Sequence, residues 1–214
     1  MAAPLVTITR QYASGGSDIA ALAALQLGWT LIDNEFVEQV ARLAGLPPDE
    51  VAQREERAPG LLERLARTLA VASPEMFITT AGVPRVEEDE ATIVRLTERV
   101  IREAAAVGRV VLVGRGAQAV LAQRGDALHV YIVASKAWRM KLAVERLGVD
   151  PMRVDRVVDE IEQQRDRYVK AYYGRARQDV GNYDMVLNAE RLGFEGAAEH
   201  IVFAARRRGW TNQS

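Results

Sequence analysis

The stretch VTITRQYASGGSDIA, Val6 to Ala20, sets a small-residue turn, Ala13-Ser14-Gly15-Gly16-Ser17, between an apolar run and a helical pattern. Small residues at a helix start let backbone N–H groups approach a phosphate closely, and the helix dipole adds its attraction for an anion. The full phosphate-loop pattern is G-x-x-x-x-G-K-[ST]. Aligned on Gly15, the chain carries Gly16 where that pattern has lysine and Asp18 near the position of the hydroxyl. A tight turn without a ligand therefore stays open beside the phosphate site. Asp33 follows a second apolar run. Its carboxylate suits a sugar hydroxyl, or it caps the next helix. Arg115 stands between Gly114 and Gly116 directly after VVLV, where the backbone can turn and bring a ligand to the guanidinium; an internal salt bridge is the alternative. Arg165 interrupts an apolar helical stripe, with Arg167 and Lys170 nearby. A cation on a core-facing stripe needs a partner, either a carboxylate of the protein or a phosphate of a ligand. The chemistry these residues suit is phosphoryl transfer, in which positioned cations and amides stabilise charge on the moving group.

The elements that must hold them alternate between strand and helix. Leu5–Thr9, Trp29–Ile32, VVLV at 110–113, Leu128–Val133 within ALHVYIVA, and DMVLNA at 184–189 read as strands. Ser17–Leu27, Asn34–Ala44, a strong helix after EEDE, Lys136–Leu147, Arg153–Tyr173 and Glu195–Arg207 read as helices. This alternation predicts a parallel sheet with helices on both faces. Ligands of such folds bind beyond the carboxyl ends of the strands. The opening loop, Asp33 and Gly114–Gly116 all fall there. From Pro47 to about Glu90 the periodicity weakens, which reads as a helical insertion over the core, its Leu61–Leu69 stretch packing on the core or on a second copy as a homodimer.

Composition narrows the function classes. The chain has 214 residues and a formal net charge of −1, which makes no general case for nucleic acid or an anionic membrane as partner. No apolar run approaches the roughly 20 residues needed to span a bilayer, and the opening residues show no signal-peptide pattern. The absence of cysteine removes disulfides and thiolate metal sites and fits the cytoplasm. Of 28 basic residues only Lys136, Lys141 and Lys170 are lysine; arginine offers a fork that matches phosphate, and genomic G+C bias accounts for the same excess. His129 and His200 lie in different elements and read as packing or surface residues.

Taken in order, TITRQYASGGSDIA, LGWTLIDNEFVEQVA, VVLVGRGA, ALHVYIVAS, RDRYVKAYYG and NYDMVLNAERLG resemble the cytidylate kinase-like family of P-loop nucleoside monophosphate kinases, over nearly the whole chain. The resemblance implies a single α/β domain over residues 1–214. It would be a three-layer P-loop kinase fold with a five-stranded parallel sheet, an acceptor-side insertion at about 45–90 and a lid-like region at about 160–182. It implies ATP as donor, Mg2+ bridging the donor phosphates, and a small-molecule nucleotide as substrate. By the same resemblance Ser14, Gly15, Gly16 and Ser17 cradle the donor phosphates, Asp33 contacts the acceptor sugar, Arg115 holds the acceptor phosphate, and Arg165 and Arg167 belong to the lid. Two departures stand out. The loop lysine is Gly16, and the Gly-Arg-Asp of cytidylate kinases is Gly114-Arg115-Gly116. Arg10 is the nearest cation to the vacant lysine position, and Asp18 is the candidate Mg2+ ligand. Three readings stay open: a nucleoside monophosphate kinase-like phosphotransferase, a nucleotide-binding sensor of little activity, and a kinase of a non-nucleotide hydroxyl.

Overall fold

The computed structural model describes residues 3–33 and 90–210. Strand β1 (Leu5–Arg10) leads through the loop into α1 (Gly16–Leu27) and β2 (Thr30–Ile32). Then come α2 (Glu90–Val107), β3 (Val110–Val113), a short α3 (Ala117–Val120), β4 (Ala127–Val133), α4 (Lys136–Leu147), α5 (Val154–Tyr173), β5 (Met185–Asn188) and α6 (Ala189–Arg207). The expected helix over 34–44, the insertion at 45–90 and the apolar stretch 61–69 lie outside the described residues.

The sheet has five strands in the order β2-β3-β1-β4-β5, and every pairing is parallel. Parallel strands are covered on both faces, which explains the uninterrupted apolar runs of β3 and β4. Alternate residues of each strand face opposite layers. Val6, Ile8, Val111, Leu128, Val130 and Ile132 pack against α1 and α6, while Leu5, Val110, Leu112 and Ala127 pack against α2 and α3. Each fully buried valine, leucine or isoleucine among them contributes about 1.5–3 kcal/mol. Ala20, Ala23 and Ala24 of α1 are buried with Ala197, Ala198 and Ile201 of α6 in the first of these layers. A third, smaller cluster joins Ala143 of α4 to Val154 and Val158 of α5, and Tyr12 and Ala13 pack on it. The phosphate-loop candidate thereby sits directly on the helix carrying Arg165.

Some boundaries differ from the sequence expectation. α6 has a first turn from Ala189, where Asn188 caps it by accepting from the Arg191 amide (3.3 Å); after a break at Gly193 (φ 69°, ψ 173°) the helix runs on to Arg207, close to the expected start at Glu195. Trp29 precedes β2; its amide donates to the Ala24 carbonyl (2.9 Å) as part of the turn after α1. α3 is a single turn that the sequence pattern is too short to announce.

The connection after β1 runs to β2 on one side of it, and the connection after β3 runs to β4 on the other. The reversal falls between the carboxyl ends of β1 and β3, where α/β sheets bind ligands. Arg10 ends β1 there and Gly114 follows β3, its amide donating to the Ile8 carbonyl (3.0 Å).

Candidate functional site

Beyond β1 the chain turns sharply. The Ser14 amide and hydroxyl both donate to the Gln11 carbonyl (3.3 and 2.9 Å), and Ala13 (φ 57°) and Gly15 (φ 73°) take left-handed conformations. Ser14 is buried, so its hydroxyl shapes the loop. Gln11 ties the loop to β4: its amide donates to the Ile132 carbonyl (3.0 Å) and its Oε1 accepts from the Ala134 amide (3.0 Å). α1 then starts at Gly16 with Gly15 as its cap, and no side chain bonds to the first amides from that position. An uncapped helix start presents N–H groups and the positive end of the dipole. Phe194 covers the outer side of the loop, since a Cβ on Gly15 would enter its ring. Phe194 is itself set edge-on to Trp138, with centroids 6.0 Å apart.

At the carboxyl ends of β1 and β3 lies a cavity of about 870 Å³ whose walls include Arg10, Arg115, Arg165, Arg167 and Arg177, with Tyr168, Tyr172, Gln118 and Gln164; Ser14, Gly15, Gly16 and Ser17 are not among them. Four arginines expected from the sequence thus converge with one that was not. Burial pushes the Arg10 guanidinium down to about 10, and the neighbouring charges of Arg165, Arg177 and Arg115 push the same way. Arg165 is also lowered, first by burial. Its Nη1 donates to the Arg10 carbonyl (3.1 Å), its guanidinium lies over the Tyr12 ring (5.7 Å), and Glu162 Oε1 is 3.6 Å away. Glu162 acts the other way on both Arg10 and Arg165, so burial and like charge are only partly offset there.

Arg177 is the functional-region residue that sequence reasoning missed. Its side chain is only 4% exposed and forms ion pairs with Glu162 and Asp166, each at 2.7 Å. Burial opposes its charge, yet those carboxylates outweigh burial and hold it above its ordinary value. It also donates to the Arg10 carbonyl (3.2 Å), while Glu162 Oε1 accepts from the Tyr12 amide (2.6 Å). The segment after α5 is therefore bolted through Glu162 to the loop. One signal was available: Glu162 and Asp166 are four residues apart, hence on one face of a helix, flanking Arg165.

Gly114, Arg115 and Gly116 have φ of 73°, 51° and 69°, and the turn closes where the Ala117 amide donates to the Gly114 carbonyl (2.9 Å). Holding a non-glycine residue there costs about 1–2 kcal/mol, and backbone strain of this kind clusters at ligand sites. A Cβ on Gly116 would collide with the Tyr173 ring, so Tyr173 occupies the space of an aspartate at that position.

The other predicted residues lie as follows. Arg167 is exposed at the cavity rim, its Nε donating to the Gln163 carbonyl (3.3 Å). Ser17 is exposed at the start of α1. Asp33 directly follows β2 and is not among the cavity walls. Asp18 points to α4, where its two oxygens accept from Arg146 at 2.9 and 3.2 Å. Among the described residues no three histidine or carboxylate side chains group together, and Asp18 is paired with Arg146 while Glu162 and Asp166 are paired with Arg177. His129 is buried beside Thr7 Oγ1 (2.7 Å), and His200 is exposed on α6, as read from the sequence.

Comparison with known proteins places the fold. No curated protein sequence matches the chain. An uncharacterized protein from Eubacterium ventriosum ATCC 27560 is similar in structure, with a TM-score of 0.66, 22% identity, and coverage of 96% of this chain and 99% of that one. Shikimate kinase from Bacteroides thetaiotaomicron gives a TM-score of 0.52 at 15% identity, covering 95% and 98%. Shikimate kinase from Acinetobacter baumannii, in complex with shikimate, gives 0.51 at 12%, covering 96% and 94%. At these identities the likeness is one of fold, the five-stranded parallel sheet of P-loop kinases with helices on both sides. The sequence itself carries the family: residues 5–191, from the first strand through the loop, the Gly-Arg-Gly turn and the arginine-bearing helix, match the cytidylate kinase-like family, and the chain belongs to it.

Proposed function

We propose that this protein is an ATP-dependent phosphotransferase acting on a nucleoside monophosphate or a similar small acceptor. The observation that supports it is the group of arginines around one cavity at the switch point of the sheet, in which Arg10 is depressed by burial and by its neighbours. Such a group selects polyanions and stabilises charge spread over a transferring phosphoryl group.

In this reading the loop at Ser14, Gly15, Gly16 and Ser17 receives the donor phosphates through amides and the α1 dipole. Arg115, held in its strained turn, and Asp33 receive the acceptor. Arg10, Arg165 and Arg167 face the transferred group. The bond from the γ-phosphorus to the β,γ-bridging oxygen breaks, and one forms to an acceptor oxygen. Mg2+ arrives with ATP as part of the substrate, where it neutralises phosphate charge. Asp18 serves it only if the fork to Arg146 opens, so Asp18→Ala is expected to leave turnover within a few-fold of wild type. The single domain, the insertion at about 45–90 over the acceptor, a short lid at about 160–182 and a cytoplasmic setting belong to the same proposal.

ADP release from Mg-ATP tests it, measured across CMP, dCMP, UMP, AMP, GMP and simple hydroxyl acceptors. Release that depends on one monophosphate supports the reading. Release with a hydroxyl compound alone makes the protein a kinase of a non-nucleotide substrate. ATP binding without release makes it a sensor, and no ATP binding at millimolar concentration removes the shared premise.

A further inference from the structure

The side chain of Arg10 lies across two glycines. A Cβ built on Gly16 would collide with Arg10 Cβ and lie 2.8 Å from its Cγ; one built on Gly114 would collide with Arg10 Nη1 and lie 2.8 Å from its Cζ. The arginine stem thus fills the space of a side chain at 16, and its guanidinium reaches the end of β3. Gly16 is buried and begins α1 without a left-handed φ, so nothing in its own backbone calls for glycine. The Arg10 stem does. Counting back along G-x-x-x-x-G-K from Gly15 and Gly16, the first glycine of the pattern falls on position 10. A lysine at 16 and a glycine at 10 are one steric solution; an arginine at 10 and a glycine at 16 are its mirror.

We infer that this chain has exchanged the two positions: the donor-phosphate cation comes from Arg10 on the first strand, and Gly16 is small because the arginine passes over it. The surroundings fit a ligand-binding cation. Among the described residues no carboxylate lies within salt-bridge distance of Arg10, whereas Arg177 beside it takes both Glu162 and Asp166. The Arg10 carbonyl accepts from both Arg165 and Arg177 (3.1 and 3.2 Å), which fixes the backbone from which the side chain springs. The exchange also moves the charge from the helix start toward β3, between the loop and Arg115, where donor and acceptor phosphates would meet.

The inference rests on the proposal that the loop holds donor phosphates, and the test separates the two. Mg-ATP binding is measured by titration calorimetry, with a thermal melt of each variant. Arg10→Ala is expected to weaken binding about 10- to 100-fold, the range for one charged hydrogen-bond donor, with an unchanged or higher melting temperature because a repelled cation is removed. Gly16→Lys alone is expected to lose both binding and several degrees of melting temperature. Arg10→Gly with Gly16→Lys is expected to recover both; Arg10→Ala with Gly16→Lys is not, because the Cβ of residue 10 still obstructs. Wild-type affinity in Arg10→Ala, or a Gly16→Lys variant that melts and binds like wild type, overturns the exchange alone. No Mg-ATP binding by the wild-type chain overturns the proposed function and the exchange with it.

Discussion

Replacing Arg177 by methionine tests whether α5 and the loop after β1 are held by charge. The side chain is 4% exposed and its partner Glu162 13%, so the pair is buried on both sides. Asp166, at 35%, can be rehydrated and counts for less. Removing one member of a buried pair typically costs about 3–5 kcal/mol, and Arg165, 3.6 Å from Glu162, keeps this case at the lower end. Methionine keeps most of the apolar stem, so the expected loss is about 3 kcal/mol. At this chain length each kcal/mol moves the melting temperature by about 2–4 °C, giving a fall of about 6–12 °C. Circular dichroism or differential scanning calorimetry measures it. Adding Glu162→Gln to Arg177→Met removes the charge left behind while an amide oxygen remains to accept from the Tyr12 amide. The double variant should therefore recover about half the loss. A single variant melting within about 2 °C of wild type, or a double variant no more stable than the single, would refute the buried-pair account.

Arg115→Gly relieves a left-handed residue (φ 51°) and is expected to raise stability by up to about 1 kcal/mol while weakening acceptor binding at least about tenfold; calorimetry on both axes checks it. Gly116→Asp meets both the Tyr173 ring and a positive φ (69°) and is expected to cost about 2 kcal/mol or more in a urea titration; Tyr173→Ala removes only the steric part. Burial lowers His129 below its ordinary value. A depressed histidine makes the fold favour the neutral ring, so that stability is present above the unfolded value of about 6.5 and is lost as pH falls below it. Melting curves between pH 7 and 5 should show this loss, and His129→Gln should flatten it. The exposed Asp18–Arg146 pair, 41% and 46% exposed, predicts a change of no more than about 1 kcal/mol for Asp18→Asn.

Much of the fold was legible because it is written in local patterns. The five strands are apolar runs closed by turn residues, and the helices carry their own periodicity and stops, such as Gly28 after α1 and Gly174 after α5. The short α3 and the turn of α6 before Gly193 were not legible, because one turn has no period and Asn188 caps the latter inside what reads as strand. In the candidate site, the small-residue loop and the misfit of Arg165 on an apolar stripe were visible from residue type alone.

By itself, then, the sequence determined which residues are small, which are cationic and on which element each lies. Tertiary structure decided which of them meet. Arg10 and Gly114 are neighbours only because β1 and β3 pair in parallel with Ile8 opposite Val113. Asp18 faces Arg146, away from the cavity, only because of the way α1 lies against α4. Arg177 is buried because two carboxylates of α5 wait beneath it. None of these follows from local propensity. Each is a contact between segments far apart in the chain, fixed by strand register and helix packing, and charge acquires its meaning only from the charges that packing sets beside it.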